Sequence, residues 1–318
     1  MRKYLLSTSA LAGAALLSSA AIADVSISGA VEFEYSDSDS NIATNDTKGM
    51  ASNNEVYIDF TNKTDSGLTI VYNVDIDGDA GAGIDDNSLS ISGGFGKLVM
   101  GQTDGVSDTM AITAQGLIAE ESDGTATGGT VLKDSGATTT GNGDRVSFTL
   151  PAMGGLTAGV SYKEADTASV TEYGINYTME AAGTTITVGH TGSTQEVASA
   201  QDNDTTNTGI TVGMGAVSFT VSNGTSEGAG EDLNGNGVGA KYTLANGLTL
   251  AAATFKSEDD IDTGEEYSVN HYEAIYPIAS GLTAVVTVSD FDYEGGTSGN
   301  GGADENGTIT TLNIKASF

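Results

Sequence analysis

The chain has 318 residues, with 43 Asp and Glu against 11 Lys and Arg, a formal charge of −32 at pH 7, 44 Gly and 2 Pro. This charge excludes nucleic-acid binding by phosphate neutralisation, which needs clustered Lys and Arg. A sequence without Cys excludes a disulfide framework, thiolate catalysis and thiolate-ligated metal sites. Acidity combined with only 38% hydrophobic residues is typical of disorder, unless the apolar residues follow a regular pattern.

The first 23 residues have the layout of a signal peptide. Basic Arg2 and Lys3 precede an apolar stretch rich in Leu and Ala, and Ala21-Ile22-Ala23 forms an A-x-A cleavage site. A membrane anchor is the alternative, but the apolar stretch is short and interrupted by Ser. We therefore expect 1–23 to be cleaved and 24–318 to be the mature chain, whose nine basic and 43 acidic residues give a charge of −34.

The mature chain alternates between apolar and polar residues with a period of two. Its first segment has apolar residues at odd positions and polar residues at even ones, namely Val25, Ile27, Val31, Phe33 and Tyr35 against Ser26, Ser28, Glu32 and Glu34. The same alternation recurs around Val56, Leu68, Val146, Val217 and Leu312. This pattern is typical of amphipathic β-strands and not of helices.

Short, nearly uncharged turns alternate with long polar loops along the chain. The short turns fall at 62–67, 93–96, 151–155, 180–183, 213–215, 245–247 and 277–281. The polar stretches, rich in Asp, Gly, Ser and Thr, cover 36–54, 77–86, 104–143, 164–171, 192–207, 224–237, 257–266 and 292–307. These connections predict sixteen strands of roughly 6–11 residues, close to the length that crosses a bilayer when tilted.

An even number of strands brings the first and last strands together in antiparallel orientation, so the sheet can close. Tyr177, Tyr242 and Tyr276 precede short turns on the apolar face, and Phe60 and Phe148 lie comparably, as in the aromatic girdle of a membrane barrel. A soluble β-sandwich seldom runs to sixteen strands, and a solenoid needs a fixed repeat that the sequence lacks. We predict an all-β fold, a 16-stranded antiparallel transmembrane β-barrel with short periplasmic turns and long extracellular loops.

The alternation also assigns charged side chains to the lumen. The predicted lumen-wall residues are the acids Glu32, Glu34, Glu55, Asp59 and Glu172 and the bases Lys97, Arg145, Lys163, Lys241 and Lys315. The loop at 104–143 adds Asp104, Asp108, Glu120, Glu121 and Asp123. An acidic pore attracts cations and repels anions, so we predict a cation preference. The alternative is that most acids lie in outer loops and keep those loops solvated.

Two acidic segments resemble calcium loops, since hard cations favour oxygen ligands around a glycine turn. The first offers Asp75, Asp77 and Asp79, and the second offers Asp232, Asn234 and Asn236. Neither fits an EF-hand, because the first has Ala80 at the glycine position and the second ends in Thr243. We expect no cofactor, at most Ca²⁺ or Mg²⁺ held loosely by such acidic loops, and a solvated polar loop is the simpler interpretation.

The chain resembles the general diffusion porins of the Gram-negative outer membrane. The resemblance covers the whole mature chain and depends on four features besides the signal: Asp24-Val-Ser-Ile-Ser-Gly29, the segment Phe-Gly-Lys-Leu-Val-Met-Gly-Gln at 95–102, a long third loop, and the ending Asn313-Ile-Lys-Ala-Ser-Phe318. It implies a homotrimeric barrel in outer-membrane lipid, whose third loop folds inward and narrows the pore. It also implies that the outer-membrane assembly machinery reads the last strand, with Phe318 as its signal.

The chain departs from the family in one respect. Family members oppose acids on the third loop with a cluster of arginines, whereas the mature chain contains Arg145 as its single arginine. We predict a non-enzymatic channel for passive diffusion of small hydrophilic solutes and ions. A substrate-selective porin is an alternative, although such a pore needs lumen aromatics and the pattern offers only Tyr57 and Phe291. A secreted calcium-binding adhesin or surface-layer protein is the alternative from another class.

Overall fold

The computed structural model describes residues 24–78, 83–120, 132, 143–165, 168–197, 201–228, 230–262, 264–295 and 303–318. The predicted signal peptide at 1–23 lies outside these residues. Within 24–318, the first strand begins at Asp24 and the last strand ends at Ser317.

Sixteen strands make up most of the described chain. They are β1 (Asp24–Ser40), β2 (Thr47–Lys63), β3 (Thr69–Asp77), β4 (Gly83–Gly93), β5 (Gly96–Thr103), β6 (Gly143–Thr149), β7 (Leu156–Ala165), β8 (Ala168–Ala181), β9 (Thr184–Val197), β10 (Asn203–Met214), β11 (Val217–Gly228), β12 (Glu231–Thr243), β13 (Thr249–Asp259), β14 (Glu266–Ala279), β15 (Leu282–Glu294) and β16 (Glu305–Ser317). Each strand pairs with its neighbours in sequence, and β1 also pairs with β16, so the sheet closes into a barrel. The predicted fold class is confirmed.

The seam between β1 and β16 satisfies the backbone groups at the chain's end. Ala30 pairs with Ser317, and the register continues without a shift to Ser40 opposite Gly307. Beyond it, the N–H of Phe318 donates to the carbonyl of Gly29 at 3.0 Å. Closure removes the free edge that a membrane strand could not leave unpaired in lipid.

The outward face of the barrel carries the apolar half of each strand. Ile27 and Phe33 point outward and are 70% and 60% exposed. Tyr177, Tyr242 and Tyr276 lie on the same outer face, each close to a short turn and each about half exposed. An apolar belt bordered by tyrosines is the surface expected against lipid, so the predicted aromatic girdle is confirmed.

The strands are longer than the alternation predicted. The predicted loop at 36–54 is wrong, because β1 continues to Ser40 and β2 begins at Thr47. A strand of 17 residues at about 3.3 Å per residue exceeds a hydrocarbon core of about 30 Å. Its far end is polar on the outside, where Lys48 pairs with Asp37 at 2.8 Å. These hairpins therefore extend beyond the membrane, where ladder hydrogen bonds hold them without an apolar face.

Helical structure occurs between β5 and β6. It consists of α1 (Val106–Thr109) and a 3₁₀ turn at Gln115–Leu117. Within the described ranges, no helix has the length and apolar character needed to cross a membrane.

Candidate functional site

The third loop connects β5 and β6, and its described residues lie inside the barrel. The structure describes its residues 104–120 and 132. Helix α1 packs on β7, β8 and β9, and the 3₁₀ turn packs on β12 and β13. The described loop therefore follows the inner wall from β7 toward β14 and leaves the opposite wall, β16 and β1 to β5, as the other side of the pore. The predicted inward fold of this loop is confirmed.

Side chains of the wall hold the third loop through its backbone. The acceptors lie on β7, β10, β11 and β14 and take the loop's N–H groups in chain order: Val106 to Ser161 Oγ at 3.0 Å, Ile112 to Asn207 Oδ1 at 3.1 Å, Ala114 to Ser222 Oγ at 3.0 Å, and Ala119 and Glu120 to the Glu273 carboxylate at 2.9 Å. These hydrogen bonds satisfy an irregular backbone that would otherwise be buried without partners. The loop is thus part of the wall and not a free segment.

Inward-facing glycines make room for the third loop. A Cβ atom at Gly189 would lie 2.7 Å from Ile112 Cδ1, and one at Gly237 would lie 2.8 Å from Ala114 Cβ. At Gly209 a Cβ would collide with the carbonyl oxygen of Ile112. These glycines form a shallow trough in which the loop backbone contacts the strands directly. Sequence reasoning missed them, although their inward positions could be read from the alternation.

A buried ion pair lies beneath the start of the third loop. Arg145 Nη1 is 2.7 Å from Glu172 Oε2, and neither side chain is exposed. Ser107, within α1, donates to Glu172 Oε1 at 2.8 Å, and Ser161 Oγ donates to Oε2. The carboxylate therefore links strands β6, β7 and β8 to the loop.

The prediction that Arg145 and Glu172 line the pore is wrong, because neither side chain is exposed to the lumen. Both side chains point inward, as the alternation predicted, but the third loop covers them. The charge of Arg145, the single arginine of residues 24–318, is compensated by Glu172 within the wall. The aqueous pore therefore lacks the guanidinium side that the family pattern requires.

A buried apolar cluster lies on the inward faces of β13, β14 and β15. Its members are Phe255, Tyr267, Val269, Phe291 and Tyr293, with Leu132 of the third loop and Ile309 packed against them. Ser257 Oγ also donates to the Leu132 carbonyl at 2.7 Å. The expectation of few lumen aromatics is therefore wrong, because Phe255, Tyr267 and Tyr293 also face inward, and the predicted loop at 292–307 concealed Tyr293. The cluster is packed and not open to solute, so it fixes the loop and does not form an aromatic path.

Three predicted acids meet where the third loop approaches the open wall. Carboxylate oxygens of Glu32, Glu34 and Glu120 lie within 4.8 Å of one another. Lys315 is 3.3 Å from Glu32 and forms a second ion pair with Glu120. Burial raises the pKa of Glu120 in the loop, and the ion pair with Lys315 opposes that rise. The group could hold a cation, but the Lys315 ammonium already occupies a central place in it.

The other predicted pore residues lie as the alternation placed them. Asp104 and Asp108 are exposed on the third loop, whereas Glu121 and Asp123 fall outside the described residues. The remaining wall residues are inward-facing Glu55, Asp59, Lys97, Lys163 and Lys241. Asp59 accepts a hydrogen bond from Asn73 at 3.0 Å on the next strand.

The two segments that resemble calcium loops lie in strands where the structure describes them. Asp232, Asn234 and Asn236 all belong to β12. The Oδ1 atoms of Asn234 and Asn236 accept hydrogen bonds from Asn223 Nδ2 at 2.8 and 3.3 Å, and cation binding here stays a prediction. Asp75 and Asp77 belong to β3, and Asp79 lies outside the described residues.

Phe318 ends the chain on the outside of the barrel and is 79% exposed. Its backbone completes the seam with Gly29, which leaves the ring free on the outer surface. Its recognition by the assembly machinery stays a prediction.

Comparison with known proteins agrees with this geometry. A family model described as Gram-negative porin matches residues 7–296. The fold is similar to an anion-selective porin from Comamonas acidovorans, with a TM-score of 0.72 and 13% identity over 93% of this chain and 100% of that chain. It is also similar to in-vitro folded OmpT of Vibrio cholerae in its trimer form, with a TM-score of 0.71 and 13% identity over 94% and 100% of the two chains. No curated protein matches the sequence.

The structural neighbours, at these identities, establish the fold alone. The family match covers most of the chain, including strands β1 to β15 and the third loop between β5 and β6. The chain belongs to the Gram-negative porin family.

Proposed function

We propose that this porin is a water-filled channel for passive diffusion of small hydrophilic solutes and that it prefers cations. The observation that carries the preference is the burial of Arg145 against Glu172 under the third loop. With that guanidinium compensated, the open wall and the loop present Glu32, Glu34, Asp59, Asp104 and Asp108. Lys97 and Lys315 oppose them, and Lys315 is itself paired with two carboxylates.

The sign of the preference depends on these side chains and not on the barrel. The Comamonas acidovorans porin is described as anion-selective and has the same fold. A narrow pore lined by carboxylates lowers the energy of a cation and raises that of an anion. A secreted calcium-binding adhesin does not fit this molecule, because its outer surface is an apolar belt.

The zero-current potential of the reconstituted channel tests the proposal. In a planar bilayer with a potassium chloride gradient, we expect the sign that shows potassium to be more permeant than chloride. The double substitution Glu32→Gln with Glu34→Gln reduces that potential, because it removes two carboxylates beside the third loop. Asp292→Asn is the matched control, since Asp292 is exposed on the outward face of β15 and we expect no change. A wild-type potential of the opposite sign would contradict the cation preference.

We also propose that three copies associate through the outer surface around the seam. The Vibrio cholerae neighbour is described in a trimer form. In this chain, Gly29, Ala284 and Ala316 lie on adjacent strands β1, β15 and β16 and point outward. Small residues let two apolar surfaces approach closely within a membrane.

Light scattering coupled to size-exclusion chromatography in detergent measures the protein mass of each particle and therefore the number of chains in it. We expect three chains per particle for the wild type. Ala316→Leu places a larger side chain on the patch and shifts the particle toward one chain, whereas Leu250→Ala, on the outer face of β13, leaves three chains. A wild-type particle of one chain would refute the trimer.

A further inference from the structure

A cavity of about 650 Å³ lies between the start of the third loop and the inward faces of β2 to β6. Its lining combines four carboxylates with one ammonium group, several hydroxyl and amide groups, and three valines. The charged members are Asp59, Asp75, Asp86, Asp104 and Lys97. This cavity is separate from the buried Arg145–Glu172 pair and from the Glu32–Glu34–Glu120 group.

One of these carboxylates, Asp86, lies beside a β-bulge in β4. The pairing of β3 with β4 shifts between Val74, opposite Asn87, and Ile76, opposite Ile84. Asp86 lines the cavity together with Ser88 and Ser90, as the alternation of β4 predicts, whereas the extra residue leaves Ile84 pointing outward and 62% exposed. Bulges are found near functional sites, and this one ends the regular inward face at Asp86.

Ser147 is a second, independent sign of a ligand. Its side chain on β6 is 8% exposed, and it lines the same cavity. Its Oγ has no hydrogen-bond partner among the described residues. A buried hydroxyl without a partner is costly, and a ligand atom in the cavity would satisfy it.

The apolar part of the lining restricts the ligand further. Val71, Val99 and Val106 line the cavity together with the carboxylates. Metal ions gain nothing from such a surface, whereas a short chain of methylene groups is stabilised by contact with it. The combination favours a cation that carries charge at its ends and an apolar segment between them.

We propose that this cavity is a binding subsite for aliphatic diamines, small organic cations with two primary ammonium groups. The four Asp side chains exceed Lys97 by three charges, so a dication is favoured over a single ammonium. Carboxylates on β2, β3, β4 and the third loop can receive the two ends of one diamine, and its methylene chain lies on the valines. The inference rests on the proposed function, since the diamine must enter through the open channel.

Block of single-channel current by 1,4-diaminobutane tests the subsite. We expect the diamine to reduce the potassium current at a lower concentration than butylamine, which has one ammonium and the same methylene chain. Asp75→Asn combined with Asp86→Asn raises the half-blocking diamine concentration by about tenfold. This is the loss of affinity expected when one or two contacts between charges are removed in water-rich surroundings. Asp104→Asn gives a smaller rise in the half-blocking diamine concentration. Because Asp104 lies outside the strands, this variant replaces the double variant in the test if the double variant does not fold.

Glu34→Gln is the matched control for the subsite. It removes a lumen carboxylate outside the cavity, so it lowers the cation preference while the diamine still blocks at the wild-type concentration. The subsite would be overturned if the diamine and butylamine block the channel equally. It would also be overturned if the Asp104→Asn channel and the Asp75→Asn/Asp86→Asn channel both keep the wild-type half-blocking concentration. The potassium chloride potential measured in the same membrane before the amine is added decides the cation preference separately.

Discussion

Replacing Arg145 with Met is expected to destabilise the folded barrel by about 3–5 kcal/mol, the cost of leaving one partner of a buried ion pair uncompensated. Glu172 would keep its hydrogen bonds from Ser107 and Ser161 but lose the guanidinium 2.7 Å away. Hydrogen bonds from neutral hydroxyls do not replace a positive charge next to a carboxylate that has no exposure to water. The free energy of unfolding can be measured from urea titrations of the protein in detergent, followed by its heat-modifiable gel migration.

Two further variants separate the buried charge from simple loss of packing. Arg145→Met combined with Glu172→Leu removes both charges, and we expect it to recover most of the lost stability because an apolar pair of similar volume is often tolerated. Lys256→Met removes an ion pair with Glu266 whose side chains are 57% and 39% exposed, and we expect at most about 1 kcal/mol. Wild-type stability of Arg145→Met would show that the pair does not hold β6 to β8.

The assignment of faces was the most predictable part of this structure. A side-chain period of two is a local property of any strand, so Glu32, Asp59 and Lys315 could be placed inward from the sequence alone. The short turns were also local, because their glycines lie where the chain reverses, as at Gly183 and Gly247, both with positive φ. Closure then followed from an even number of strands.

Strand length and the contents of the lumen were not predictable in the same way. Polar pairing beyond the membrane has the composition of a loop, which is why β2 was thought to begin near Glu55 when it begins at Thr47. The same kind of error hid the inward position of Tyr293, which lies in the predicted loop at 292–307 but belongs to β15. The burial of Arg145 depends on the path of the third loop, and no periodicity constrains that path.

The bulge in β4 shows a different limit of sequence reasoning. Alternation fixes a face only while the register is unbroken, and one inserted residue reverses every later assignment. Ile84 therefore points outward, although Ser88 and Ser90 at the same parity line the cavity. Asp86, which the polar composition of 77–86 assigns to a loop, lies in the cavity wall. A register shift of this kind is set by pairing with β3, which the local sequence of β4 does not reveal.

Replacing Gly209 with Ala is expected to push the third loop away from its wall and into the pore. The new Cβ would collide with the carbonyl oxygen of Ile112 and lie 2.6 Å from its Cβ. The backbone of β10 is fixed by ladders on both sides, so the loop is the part that can move. We expect a lower single-channel conductance with more gating noise, and a stability loss of about 1–3 kcal/mol from overpacking.

Gly213→Ala is a closely matched control, because Gly213 lies on the same strand and the same inward face. A Cβ there would have its nearest neighbour, the Thr185 carbonyl oxygen, at 3.9 Å. We expect wild-type conductance and unchanged or slightly higher stability, since Ala is favoured over Gly within a strand. If the two variants conduct alike, the third loop does not depend on the glycine trough. If only Gly209→Ala lowers the conductance, the trough determines how far the loop lies from the opposite wall, and hence the width of the pore.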